Sequence, residues 1–120
     1  MCHVLVIEDE PIIADMICDF LEAEGATSFS VAASEDAARE MANRQVPTVI
    51  TSDVRLAKGY GPRAVEAIRS IHGEVPTIFI TALPDECKPC DHAIAIIQKP
   101  FTAKQLTGAF AKAWSVSPYA

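Results

Sequence analysis

The sequence has little positive charge and no long apolar run. Its 10 Lys and Arg residues are outnumbered by 16 Asp and Glu residues, which gives a formal net charge of −6 over 120 residues. Nucleic acids and anionic membrane surfaces attract clustered Lys and Arg, so this balance disfavours both as direct partners. The longest apolar run is far too short to cross a bilayer, so we expect no membrane insertion.

Cysteines are few, and the N-terminus lacks the basic segment, apolar stretch and cleavage site of a secretory signal. These absences favour a cytoplasmic protein whose thiols are reduced. The length and a hydrophobic content of 50% predict one domain over residues 1–120, with a real core and no output domain.

Four short apolar runs each stop at a residue with phosphoryl or metal chemistry. Residues 4–7 precede Glu8 and Asp9, 49–52 precede Asp53, 78–80 precede Thr81, and 94–98 precede Lys99. Because these runs alternate with helical patterns, they predict buried parallel strands. Reactive residues of open parallel sheets lie at the carboxyl ends of the strands. We therefore expect three carboxylates, one hydroxyl and one ammonium at one edge.

Apolar residues at helical spacing predict the elements between the strands. A helix is expected over residues 11–24, a second after a Ser34 cap, a third from Pro62 to Gly73, and a last one after a capping box at 102–105. The side chains expected to face the core are Ile12, Ile13, Met16, Ile17, Phe20 and Leu21 in the first helix and Ala64, Val65, Ala67, Ile68 and Ile71 in the third.

Three segments lack a clear pattern. Residues 54–61 are predicted to form a glycine-containing loop. Residues 82–93 hold two prolines and mixed polar residues, so any helix there must be short or distorted. The tail after Ser115 is expected to be loose. With a brief second strand expected over residues 29–32, the whole pattern predicts an α/β fold of five strands alternating with four or five helices.

The carboxylates at the predicted edge suit a magnesium ion. Mg²⁺ prefers octahedral oxygen coordination, and one or two carboxylates with phosphate oxygens suffice to hold it. Glu8, Asp9 and Asp53 repel one another when packed together, and a divalent cation relieves that repulsion. We therefore expect Mg²⁺ as the cofactor.

Asp53 stands alone at its strand end and is the candidate nucleophile. Carboxylates form acyl phosphates when the charge of the phosphoryl group is neutralised, and Lys99 can supply one positive partner. The Thr81 hydroxyl can donate to a newly arrived phosphoryl oxygen and move toward it. This combination predicts a switch.

Four short segments hold the candidate site residues. In chain order they are Val6-Ile7-Glu8-Asp9-Glu10-Pro11, Ser52-Asp53-Val54-Arg55-Leu56, Thr81-Ala82 and Lys99-Pro100-Phe101. Together they resemble the receiver domains of bacterial two-component response regulators, over the whole chain. The resemblance implies a flavodoxin-like, doubly wound parallel sheet of five strands in the order 2-1-3-4-5, with a shortened or irregular fourth helix.

The resemblance also implies roles for individual residues. Asp53 would accept a phosphoryl group from a histidine kinase or a histidine phosphotransfer protein. Asp9 and Asp53 would bind Mg²⁺ directly. Glu8 would assist through water, and Arg55 would contribute its backbone carbonyl. The chemistry would be limited to self-phosphorylation and dephosphorylation, and an unknown protein target would receive the signal.

Thr81 and Lys99 match the switch hydroxyl and the phosphate-pairing lysine of the family, but neighbouring positions differ. Many receivers have an aromatic switch residue three positions before the lysine, where this chain has Ile96. A tyrosine rotation therefore cannot report phosphorylation. Ala57 replaces a proline that is common after the acceptor, and the interval from Thr81 to Lys99 is short.

The fourth strand is similar to that of a subgroup of stand-alone alphaproteobacterial receivers with a Phe-Ala-Thr-Gly motif. This chain has Phe79-Ile80-Thr81-Ala82 there, so Ile80 and Ala82 differ from the motif. Membership would imply a role in stress signalling.

Other functions fit the residues less well. A scaffold with the receiver fold would bind its partner constitutively, and Ile96 with the short fourth helix keeps that alternative open. An aspartyl phosphatase would place a second Asp where Arg55 stands. A flavodoxin would have to hold a phosphate beside Glu8 and Asp9, which repel it.

Cys87-Lys88-Pro89-Cys90, followed by His92, has the spacing of metal ligands. The pair is open to three interpretations: a zinc site, a dithiol that cycles between redox states, and an incidental pair in a loop. Cys18 falls in the first predicted helix and is expected to fill space there.

Overall fold

The computed structural model describes residues 1–120. The helices are α1 (Pro11–Ala23), α2 (Glu35–Arg44), α3 (Gly61–His72) and α4 (Ala103–Val116), and the strands are β1 (His3–Ile7), β2 (Ser28–Ala32), β3 (Val49–Ser52), β4 (Arg55–Leu56), β5 (Gly59–Tyr60), β6 (Thr77–Thr81) and β7 (Ala95–Gln98). No helix is both long enough and apolar enough to span a bilayer.

Five strands form one parallel sheet in the order β2-β1-β3-β6-β7. This is the order 2-1-3-4-5 of the principal strands, so the predicted doubly wound, flavodoxin-like topology is confirmed. The order reverses between β1 and β3, which places the switch point of the sheet beside the ends of these two strands.

The sheet is buried on both faces because successive side chains of a strand point to opposite sides. Leu5 and Ile7 pack in the core under α2 and α3, whereas Val4 and Val6 pack in the core under α1 and α4. Each face of the sheet therefore has its own hydrophobic core, and both cores pack against the strands whose ends carry the site.

The helix ends follow their local chemistry. The Ser34 hydroxyl accepts a hydrogen bond from the Ala37 amide and caps α2, as predicted. Thr102 and Gln105 form the predicted capping box at the start of α4. Two predicted core residues are exposed instead. Ile12 is two positions before the buried Ala14, which places it on the opposite side of α1, and Ile71 lies in the last turn of α3.

The irregular segments have more structure than predicted in two places. Residues 54–61 contain the antiparallel pair β4 and β5 rather than a plain loop. The tail is also held, because the Ser117 hydroxyl donates to the Thr48 carbonyl and the Tyr119 hydroxyl donates to the His72 carbonyl. In residues 82–93 the only helix is a single 3₁₀ turn at Pro84–Glu86, which agrees with the weak pattern there.

Candidate functional site

Strand pairing brings the predicted site residues to one edge of the sheet. Ile7 pairs with Ser52, and the Asp53 amide then donates to the Ile7 carbonyl at 2.9 Å. On the other side, the Lys99 amide donates to the Thr81 carbonyl at 2.8 Å. The carboxyl ends of β1, β3, β6 and β7 therefore carry the acids, the hydroxyl and the ammonium, as the sequence predicts.

Lys99 connects two of the acids. Its Nζ lies 2.9 Å from Oδ2 of Asp53 and 2.9 Å from Oε1 of Glu8. The Glu8 side chain is almost fully buried, with 1% of its surface exposed, and those of Lys99 and Asp53 are 16% and 13% exposed. One ammonium thus pairs with two carboxylates in a setting where water screens little of the attraction.

Burial and neighbouring charges shift the pKa values of Glu8 and Lys99. Burial raises the pKa of Glu8, and the nearby charge of Asp53 raises it further, although the hydrogen bond from Lys99 works in the opposite sense. Burial lowers the pKa of Lys99, but its hydrogen bonds to Glu8 and Asp53 outweigh that effect, so the net pKa lies above its ordinary value. Lys99 is therefore a firmly charged ammonium at neutral pH.

The three acids form a group of oxygen donors that fits a divalent cation. Glu8, Asp9 and Asp53 each offer a carboxylate oxygen, and these oxygens lie within 4.8 Å of one another. Oδ2 of Asp9 accepts a hydrogen bond from the Ala57 amide at 2.6 Å, which orients that carboxylate. An all-oxygen set with two half-buried aspartates, open to solvent, matches what Mg²⁺ requires.

The backbone holds Asp53 closely. Its Oδ1 accepts a hydrogen bond from the Val54 amide at 2.7 Å. The Gly61 amide donates to the Val54 carbonyl at 2.7 Å, and a Cβ at Gly61 would lie 1.8 Å from the Asp53 carbonyl oxygen. Only glycine fits there. No sequence motif indicated this role, although the Gly61-Pro62 step at the start of α3 marks the position.

Thr81 is buried at the end of β6. Its hydroxyl oxygen accepts a hydrogen bond from the Leu83 amide at 2.9 Å. Because a hydroxyl can accept and donate at once, its own hydrogen is still available for a further acceptor. The Thr81 hydroxyl can thus donate a hydrogen bond at this edge of the sheet while it accepts one from the start of the following loop.

Arg55 and Ile96 lie at the margins. The Arg55 guanidinium forms an ion pair with Glu86, so the side chain turns toward the 82–93 segment. The predicted role of its backbone carbonyl as a metal ligand stays a prediction. Ile96, at the position of the family's aromatic residue, is 44% exposed on β7. No sequence motif indicated the contact between Arg55 and Glu86, which are 31 positions apart in the sequence.

The cysteines differ from the expectation of reduced thiols. Cys87 and Cys90 form a disulfide, whereas Cys2 and Cys18 are free. Because both sulfurs belong to the disulfide, neither is a thiolate, and the pair cannot bind zinc in this state. Both nitrogens of His92 are buried without a hydrogen-bond partner, and its ring packs against Phe79 at a centroid distance of 6.2 Å.

Known proteins with related sequences are regulators. The family model described as response regulator receiver domain matches residues 4–111. The phyllosphere-induced regulator PhyR of Methylorubrum extorquens is 32% identical over 115 residues, which cover 92% of this chain and 43% of PhyR. The probable transcriptional regulatory protein TcrX of Mycobacterium tuberculosis is 34% identical over 79 residues, which cover 66% of this chain and 33% of TcrX. The chain therefore spans less than half the length of these curated relatives.

Solved structures show the same fold. The receiver domain of PhyR from Erythrobacter litoralis has a TM-score of 0.87 at 29% identity, covering 98% of this chain and 92% of that one. The receiver domain of NtrX from Brucella abortus has a TM-score of 0.85 at 26% identity, covering 95% and 99%. On its strand order, its acidic edge and these matches, the chain belongs to the family of response regulator receiver domains.

Proposed function

We propose that this receiver takes a phosphoryl group onto Asp53 in a Mg²⁺-dependent reaction, and that it signals by binding another protein. The observation that carries the proposal is the position of Lys99 Nζ, 2.9 Å from Oδ2 of Asp53 within the group of acids. The ammonium stands beside the oxygen that would form the acyl phosphate. It is therefore placed to pair with the charge that the phosphoryl group brings.

The chain's own residues prepare the reacting oxygen. The Val54 amide holds Oδ1 of Asp53, which leaves Oδ2 facing Lys99 as the nucleophile. Ionised Asp53 attacks the phosphorus atom, and the leaving group departs from the opposite side. The chemistry is confined to phosphorylation and dephosphorylation of this one side chain.

Receiver domains use Mg²⁺ at an acidic pocket, and the residues here fit that ion. Asp9 and Asp53 would bind it directly, Glu8 would assist through water, and Arg55 would supply a backbone carbonyl. When bound, Mg²⁺ offsets the charge of the phosphoryl oxygens and relieves the repulsion among the carboxylates.

The output would begin at Thr81 and β7. A phosphoryl group on Asp53 offers new acceptor oxygens to the Thr81 hydroxyl, which also accepts from the Leu83 amide. Movement of Thr81 would therefore pull on the start of the 82–93 segment. Ile96 is exposed and apolar, so packing at β7, rather than rotation of a tyrosine, would change the surface that a partner binds.

We propose that a histidine kinase or a histidine phosphotransfer protein donates the phosphoryl group. A second protein would then bind the phosphorylated domain and take up the signal. Phosphohistidine is an energy-rich donor whose transfer to a carboxylate requires only correct positioning and charge neutralisation. The acidic composition, with a formal net charge of −6, argues against direct binding to nucleic acid.

Beryllofluoride, a mimic of the phosphoryl group, separates regulated signalling from a constitutive scaffold. With Mg²⁺ present, we expect it to bind wild type and to shift the amide resonances of Thr81, Leu83 and Ile96. Asp53→Asn should show none of these shifts, because the amide oxygen does not bind beryllium. A wild type without shifts, identical to Asp53→Asn, would favour the constitutive scaffold.

A further inference from the structure

The segment between β6 and β7 is held by covalent and polar links instead of a helix. Apart from the 3₁₀ turn at Pro84–Glu86, residues 82–93 have no regular structure. Cys87 and Cys90 form a disulfide whose Cα atoms lie 5.6 Å apart. Both residues are buried in the core under α2 and α3, together with Val54 and Phe79. The disulfide is thus part of the hydrophobic core on this side of the sheet.

The residues next to Cys87 bind the loop that follows Asp53. The Tyr60 hydroxyl donates to the Glu86 carbonyl and accepts from the Lys88 amide at 3.0 Å. The Arg55 guanidinium pairs with the Glu86 carboxylate. Arg55 and Tyr60 are partners in the β4–β5 pair, so both strands of this hairpin are attached to the two neighbours of Cys87. We call these three contacts the Glu86 clamp.

We propose that Cys87 and Cys90 are a thiol–disulfide exchange site for a dithiol reductant, and that their redox state sets the strength of the Glu86 clamp. The cross-link fixes residues 87–90 as a tight turn and thereby presents the Glu86 carbonyl and the Lys88 amide to Tyr60. Without the cross-link, that turn gains conformational freedom. Formation of the Glu86 clamp then costs the conformational entropy of ordering residues 87–90. The influence on Asp53 rests on the proposed phosphoacceptor function, whereas the exchange reaction does not.

The exchange reaction needs no group beyond the reductant. A thiolate of the dithiol attacks one sulfur, the Cys87–Cys90 bond breaks, and a mixed disulfide forms as the other cysteine leaves as a thiolate. The second thiol of the reductant then closes its own disulfide and releases the first cysteine. Two electrons and two protons pass from the reductant to the pair. Oxidation runs in reverse with a disulfide such as glutathione disulfide.

The position of the pair suits a local switch. The cross-linked residues are only three positions apart, so the bond restrains the unfolded chain much less than a cross-link across a long loop would. Reduction therefore leaves the fold intact and acts on the segment itself. Lys88 and Pro89 between the cysteines are exposed, so a small opening of the turn brings the sulfurs to a reductant.

Thiol labelling of the native protein tests the exchange reaction. Dithiothreitol without denaturant should make Cys87 and Cys90 reactive to a maleimide, as mapped by peptide mass spectrometry, and glutathione disulfide should remove that reactivity. Cys18, a free thiol in both states, is the internal standard. Far-ultraviolet circular dichroism should stay the same. A pair that resists dithiothreitol until the protein is unfolded would overturn the proposal, since it would then be a structural cross-link.

Amide resonances and beryllofluoride binding test the coupling. Reduction should shift the amides of Arg55, Tyr60 and Lys88 and change the affinity for beryllofluoride with Mg²⁺ by at least about fivefold. In Tyr60→Phe, which lacks the clamp hydroxyl, the pair should still exchange, but the affinity should not depend on the redox state.

The outcomes distinguish the two proposals. Equal affinities and unshifted hairpin amides in oxidised and reduced wild type would overturn the coupling. A failure to bind beryllofluoride in both states would instead overturn the phosphoacceptor function, while the amide shifts and thiol labelling would still decide the redox site. Cys87→Ser/Cys90→Ser should match reduced wild type in affinity, and a match to oxidised wild type would contradict the coupling.

Discussion

Lys99 Nζ and Asp53 Oδ2 lie 2.9 Å apart, although 46 positions separate the residues in the sequence. The same nitrogen lies 2.9 Å from Oε1 of Glu8, so a single ammonium pairs with acids from the ends of two neighbouring strands. Removal of any of the three changes the charge balance of the others.

Lys99→Met should lower the free energy of unfolding by about 3 kcal/mol at pH 7 without Mg²⁺, because it leaves the buried Glu8 carboxylate without its cation. Methionine keeps most of the aliphatic volume, so packing contributes little to the loss. The raised pKa of Glu8 lets this group take up a proton as the pH falls, so the loss should be smaller at pH 5. Urea unfolding measures both values.

Lys112→Met is the matched control, because Lys112 is exposed on α4 and forms no ion pair. It should change the stability by less than about 0.5 kcal/mol at either pH. Equal effects of the two substitutions would mean that Lys99 is not an internal counter-ion.

Gly61→Ala should disturb the acceptor site directly. The added Cβ would lie 1.8 Å from the Asp53 carbonyl oxygen and 2.6 Å from the Ser52 hydroxyl, so the backbone must move. We expect a loss of about 1–3 kcal/mol in stability and a shift of the Asp53 and Val54 amide resonances. Gly108→Ala, in the interior of α4 with open space around it, should instead stabilise the protein by up to about 1 kcal/mol. A neutral Gly61→Ala would refute this close packing.

Mg²⁺ affinity should fall as the pH is lowered. Burial raises the pKa of Glu8, so this carboxylate is protonated at a higher pH than usual and then no longer adds negative charge to the site. Glu8→Gln should weaken Mg²⁺ binding roughly tenfold at pH 8 and should give a flatter pH dependence. Calorimetric titration between pH 5 and pH 8 checks both effects, and coincident curves for the two proteins would show that Glu8 has no part in binding.

His3 should make the fold sensitive to acid. Its ring nitrogens lie 2.7 Å from the Ser28 hydroxyl and 3.0 Å from the Ser30 hydroxyl, and burial lowers its pKa. A histidine with a lowered folded-state pKa binds its proton more tightly after unfolding. Stability from this group is therefore present above the unfolded pKa and is lost as the pH falls through the lowered value.

Denaturant unfolding at several pH values measures this effect through His3→Gln. The substitution should remove part of the acid-induced loss of stability, at most about 1.4 kcal/mol per pH unit for one proton. His92, whose pKa burial also lowers, should account for part of the remaining slope. An unchanged slope in His3→Gln would mean that His3 is as easily protonated in the folded chain as in the unfolded one.

The sequence predicts the sheet and the composition of its active edge because both depend on strong local signals. Buried parallel strands are continuous apolar runs, and the residues after them, such as Asp53 and Lys99, must meet at one edge. Helix caps at Ser34 and Thr102 follow from side-chain chemistry alone.

Other features depend on tertiary contacts that carry no local pattern. The two-residue strands β4 and β5 are too short to show periodicity, and the attachment of Arg55 to Glu86 joins segments that no motif relates. Ile12 and Ile71 were expected to face the core, but Ile12 lies opposite the buried Ala14 on α1 and Ile71 lies in the last turn of α3, and both side chains are exposed. The pairing of Cys87 with Cys90 depends on redox state as well as on spacing.

Phosphorylation by acetyl phosphate, followed by intact-mass and peptide mass spectrometry, tests the central proposal most directly. Wild type with Mg²⁺ should gain the mass of one phosphoryl group, mapped to Asp53, and should gain none when a chelator removes the metal. Asp53→Asn should stay unmodified under the same conditions. An unmodified wild type, or a phosphoryl group that still forms in Asp53→Asn at the wild-type rate, would contradict the account.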